Sequence, residues 1–119
     1  MEAQPDDAPS MIDMTILRNL REDVGEDSFP VVVGAFRRDL ARLLAELTAS
    51  VEAADAARTR RAAHALKSLT ATIGATTVSR ACACLETSCA RMTAEATTEA
   101  VTEIEVGIRS AERTLDQWS

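Results

Sequence analysis

The sequence predicts an all-α protein, an up-and-down antiparallel four-helix bundle with a short additional N-terminal helix. Three observations carry this. Apolar residues recur at i, i+3, i+4 and i+7, β-branched residues seldom alternate with polar ones, and glycine and proline are scarce after Pro30. Hydrophobic residues make up 46% of the 119 residues, aromatics only 3%, and there is no tyrosine. Ala, Leu, Val, Arg and Glu are prominent, as suits helices, and the length suits one domain with one core.

Residues 1–10 are polar and acidic, carry two prolines and show no periodicity. They read as a disordered lead-in to a bundle domain spanning 11–119. Asp13 is placed to cap the short first helix, along which Ile16, Leu17, Leu20 and Val24 recur until Gly25 ends it. Ser28 then reads as a cap, with Pro30 in a first turn that does not need its missing N–H.

The second helix is the longest by pattern, with Val32, Val33, Phe36, Leu40, Leu43, Leu44, Leu47 and Val51 on one side. Its other face, with Arg37, Arg38, Arg42, Glu46 and Glu52, is expected in solvent. Gly34 costs this helix about 1 kcal/mol against alanine and marks either a close approach by another helix or drift.

Asp55 caps a third helix that runs to Gly74, a left-handed stop. A fourth begins at Thr76 or Thr77 and turns Val78, Cys82, Leu85, Cys89 and Met92 inward, with Cys84 pointing elsewhere. After the polar stretch from Thr93 to Thr98, a last helix puts Val101, Ile104, Ile108, Leu115 and Trp118 on one side. Terminal Trp118 at this spacing reads as packing rather than a binding anchor.

The net charge of -6 argues against nucleic acid as the main partner. It is unevenly spread. Between Asp55 and Arg91 six cations (Arg58, Arg60, Arg61, Lys67, Arg80, Arg91) face two acids, a local balance of +4. A basic patch on an acidic protein suits a phosphoryl group or an acidic protein surface; the alternative is a solvated helix face. No apolar run reaches the roughly 20 residues of a membrane span, and the first residues lack signal-peptide character, so a cytoplasmic protein is expected. Cys82, Cys84 and Cys89 at i, i+2 and i+7 of one helix do not converge, which speaks against both a metal site and a disulfide framework.

The segment Arg61 to Ala75 contains the only histidine, His64, and the only lysine, Lys67. At about 100° per residue, His64, Lys67, Ser68 and Ala71 share one face, while Ala62, Leu66, Leu69 and Ile73 form the inward stripe. Hydrolase chemistry finds no support: Ser68 lies one turn away, but no acid is near in sequence and an exposed helix offers no oxyanion hole. Glycine-rich phosphate loops and H-E-x-x-H pairs are absent as well. What remains is the imidazole as phosphoryl acceptor and donor, with Lys67 at i+3 spaced to meet the phosphoryl oxygens. Arg60, Arg61, Ala63, Ser68 and Ala71 are the expected docking ground for a partner, the small ones allowing close approach.

His64-Ala-Leu-Lys67-Ser68 followed by Gly74-Ala75 resembles the H-x-L-K-G-S…G-A signature of histidine-containing phosphotransfer (HPt) domains. Asp23-Val-Gly25 with Phe29, the run Phe36, Asp39-Leu40 and Leu43-Leu44, and Cys82 with Leu85-Glu86 extend the similarity from about Ile12 to the C-terminus. The resemblance implies a bundle whose His64 takes a phosphoryl group, on Nε2, from a receiver-domain phospho-aspartate and passes it to another receiver in a two-component phosphorelay, with Lys67 stabilising it. It implies response-regulator receivers and a hybrid histidine kinase as partners. The receiver supplies Mg²⁺; the carrier itself has no cofactor, no metal and no kinase or ATP-binding element, and is a monomer. Ser68 departs from the family's usual glycine, Leu69 from a small polar residue. Glu86 falls near a position where some members carry glutamine, and reads either as a partner for the second ring nitrogen or as a surface glutamate. The rival reading is a non-phosphorylated helical adaptor that docks on signalling proteins. A third, the phosphorylated domain of a chemotaxis-type kinase, calls for dimerisation and ATP-binding domains beyond 119 residues.

Overall fold

The computed structural model describes residues 12–118, in the order α1 (Met14–Val24), α2 (Phe29–Glu52), α3 (Ala56–Thr72), α4 (Thr76–Ser88), a 3₁₀ turn (Cys89–Arg91) and α5 (Ala94–Trp118). The anticipated lead-in, residues 1–10, lies outside the described residues. No strand occurs among those described, and no helix is long and apolar enough to cross a membrane.

Helices α2 to α5 form the bundle. Each packs on its neighbour in sequence, and α5 closes the ring against α2. Hydrogen bonds and ion pairs link the neighbours: Glu46 meets Arg58 and Ser50 meets Thr59 across α2 and α3, the Ser79 hydroxyl meets the Lys67 carbonyl and His64 meets Glu86 in antiparallel order across α3 and α4, and Arg37 meets Asp116 across α2 and α5. Leu17, Leu40, Leu47, Leu66, Ile73, Leu85, Ile104 and Leu115 are among the fully buried side chains of one core. Burying each is worth roughly 1.5–3 kcal/mol. Trp118 sits on this core, its ring 6.3 Å from Phe29 and under the Arg21 guanidinium.

Local signals set most helix ends. Asp13 accepts from the Thr15 N–H and Asp55 from the Arg58 N–H, both as N-caps. At the end of α3, Gly74 (φ +86°) donates to the Ala71 carbonyl and Ala75 to that of Thr70, a Schellman stop. That turn also anchors α1, because the Asp13 N–H donates to the Gly74 carbonyl at 2.6 Å.

The structure departs from the sequence reading in four places and decides a fifth, Gly34, that the sequence left open. Ser28 makes no side-chain cap; it is already helical in backbone, and the first turn is held by backbone bonds such as that from the Phe29 N–H to the Gly25 carbonyl. Gly34, left open between close approach and drift, meets no second helix: a Cβ there would touch only the Arg38 guanidinium. Glu46 and Arg37 are half-buried partners of Arg58 and Asp116, not free in solvent. Helix α4 stops at Ser88, so Cys89 and Met92 lie beyond it and are only half-buried. Helix α5 starts at Ala94, inside the stretch read as polar linker, because the Thr93 hydroxyl accepts from the Ala96 N–H.

Candidate functional site

Helix α3 carries the site because its other sides are fully used. It packs most extensively on α4 and next on α2, burying Thr59, Ala62, Ala63, Leu66 and Thr70. The buried threonines turn their hydroxyls to carbonyls of their own helix, Thr70 to Leu66 at 2.7 Å and Thr59 to Asp55 at 3.1 Å, while Thr59 also shares a 2.8 Å bond with Ser50 of α2. Ser79 of α4 donates to the Lys67 carbonyl at 2.9 Å. The backbone beneath the functional face is thereby tied to both neighbours.

The remaining face carries His64, whose side chain is 60% exposed. Its Nδ1 lies 2.7 Å from Oε2 of Glu86 on α4. The other carboxylate oxygen, Oε1, lies 2.7 Å from Nζ of Lys67. A single carboxylate therefore bridges the imidazole and the ammonium. Hydrogen bonds from Lys67, and secondarily from His64, hold the Glu86 carboxyl below the ordinary carboxylate range, so it is ionised at neutral pH. An ionised carboxylate only accepts, so Nδ1 donates to it, and in the neutral form of the ring Nε2 is the nitrogen that carries the lone pair.

Arg60, Arg61, Ser68 and Ala71 are exposed on the same helix, within 60° of His64 by helical rotation (about 100° per residue). Ala63 does not join them. It is fully buried, a quarter-turn from His64, and small because α3 packs closely there; it is corrected from docking residue to core residue. Glu86, left open between ring partner and surface glutamate by the sequence, is the ring partner. The spacing Ser79, Cys82, Glu86 on α4 was the available signal. Among the described residues no cluster of three His, Cys, Asp or Glu side chains could hold a metal ion.

An exposed imidazole with a defined free nitrogen and an adjoining ammonium can accept and release a phosphoryl group. Comparison with known proteins bears on that chemistry directly. The model of the Hpt domain matches residues 31–117. The chain belongs to the Hpt domain family. The Hpt bundle seen here is also similar to the crystal structure of histidine-containing phosphotransfer protein B (HptB) from Pseudomonas aeruginosa PAO1, at 29% identity and a TM-score of 0.82, covering 92% of this chain and 94% of that one. A comparison with curated proteins finds no match. As an Hpt domain the chain serves histidine phosphotransfer in a phosphorelay.

Proposed function

We propose that His64 is the phosphoryl-carrying residue, that it takes the group on Nε2 from a receiver-domain phospho-aspartate, and that it passes it to a second receiver. The observation that carries this reading is the 2.7 Å contact of Nδ1 with Glu86 on a ring otherwise open to solvent. One nitrogen is occupied and the other is left as nucleophile. In acceptance, the Nε2 lone pair forms a bond to phosphorus while the P–O bond to aspartate breaks, and the aspartate leaves as carboxylate; delivery is the reverse. Lys67 neutralises charge on the phosphoryl oxygens. Arg60, Arg61, Ser68 and Ala71 form the docking ground for the receiver, which supplies the acidic pocket and Mg²⁺, so that the carrier brings no cofactor of its own. A hybrid histidine kinase is the expected origin of the group.

The test is incubation with phosphorylated receiver domains. Acid-labile, alkali-stable label should appear on the wild-type chain and vanish in His64→Gln. Equal labelling of that variant would falsify the assignment.

A further inference from the structure

Glu86 is the only acid of α4, and both its oxygens are committed, Oε2 to the ring of His64 and Oε1 to the ammonium of Lys67. The cation expected to meet a phosphoryl group is thus already neutralised before the group arrives. The two demands compete: the ammonium has three N–H donors, but charge shared with Glu86 is not available in full to oxygens beyond Nε2, on the far edge of the ring from Nδ1.

We infer that Glu86 is a positioning residue that holds Lys67 in reserve: the lysine leaves the carboxylate for the phosphoryl oxygens as the group arrives on Nε2, and returns when the group departs. This rests on His64 being the acceptor. As the N–P bond forms and the donor's leaving atom takes the electron pair of the broken bond, the Nδ1 proton stays on the ring. Glu86 then faces the positive charge that the ring acquires, which replaces the ammonium it gives up. A phosphoryl group brings about two negative charges against the one on Glu86, so the ammonium is drawn outward. The lysine side chain is 34% exposed, and its ammonium stands on a flexible four-carbon stem.

Phosphoramidate tests this without any receiver, since Nε2 attacks its phosphorus and ammonia leaves. Labelling rates are measured for wild type, Lys67→Ala, Glu86→Gln and the double variant. If the lysine must abandon Glu86, Lys67→Ala costs about two- to fivefold more in the Glu86→Gln background than in the wild type, the size of a surface ion pair's coupling. An equal or smaller cost there overturns the exchange, because it means the two residues act as a fixed pair. Nitrogen-15 spectra of the unphosphorylated chain should show the Nδ1–H tautomer of His64, shifting toward Nε2–H in Glu86→Ala; an unmoved tautomer removes the positioning role. Label persisting in His64→Gln defeats the acceptor assignment and the exchange with it, whereas label confined to His64 with an inverted cycle defeats the exchange alone.

Discussion

Asp13 and Gly74 meet backbone to backbone: the Asp13 N–H donates to the Gly74 carbonyl, and a Cβ placed on Gly74 would lie 2.8 Å from the Asp13 carbonyl oxygen. This contact ties α1 to the turn that ends α3. Gly74→Ala introduces both a left-handed alanine and a clash with backbone, which cannot move aside as a flexible side chain would. The expected loss is about 2–3 kcal/mol, read as a lower urea midpoint with unchanged m-value. Wild-type stability of that variant would show that the α1 attachment is immaterial.

Lys67→Ala should fold normally, because Nζ makes no core contact, yet slow transfer from a phosphorylated receiver about tenfold. Far-ultraviolet circular dichroism checks the first half and rapid-quench transfer assays the second. Unaltered transfer would reduce Lys67 to a surface charge.

The Ser50–Thr59 bond is buried, and each hydroxyl also meets a carbonyl of its own helix. Ser50→Ala should cost about 1–2 kcal/mol through the poorly satisfied partner it leaves. Adding Thr59→Val should cost less than a second independent loss, and the double-mutant cycle in denaturant measures that coupling.

Two carboxyls, Glu46 beside Arg58 and Glu86 beside Lys67, titrate below the ordinary value of 4.5 in the folded chain. A carboxyl depressed on folding contributes stability above its unfolded value and loses it as pH falls through the folded one. Wild-type urea midpoints should therefore drop on acidification below that ordinary value, and Glu46→Gln should flatten the drop. Parallel curves for the two proteins would leave the ion pair without a thermodynamic role.

Burial pushes the Cys82 thiol up to about 12, whereas Cys84 is exposed on the same helix. A maleimide near neutral pH should modify Cys84 in the native chain and reach Cys82 only on unfolding. Mass mapping of the labelled peptides distinguishes the two, and early modification of Cys82 would show that α4 opens readily.

What the sequence disclosed and what it withheld divide along a physical line. Asp13, Asp55 and Gly74 act on backbone groups within a few residues, and their roles were legible as caps and stop. The exposed imidazole followed from helical periodicity alone. Ala63 was misread because a small side chain suits bare surface and tight packing equally, and only the closeness of α3 to its neighbours decides between them. Thr93 and Thr97 look like linker, yet one caps α5 and the other is buried with its hydroxyl returned to the Thr93 carbonyl. Glu86 lies 22 residues from His64, so its bridge to ring and ammonium exists only once α3 and α4 have docked.

The outward stance of His64 also bears on how traffic across this protein would be organised. If His64 carries the group as proposed, its single exposed ring means that a donor and a recipient must occupy the same ground, and neither can be seated while the other remains. Each handover therefore includes a complete departure and a fresh encounter, which penalises tight complexes. A variant that clings harder to either receiver should slow the circuit even while its single-step chemistry improves.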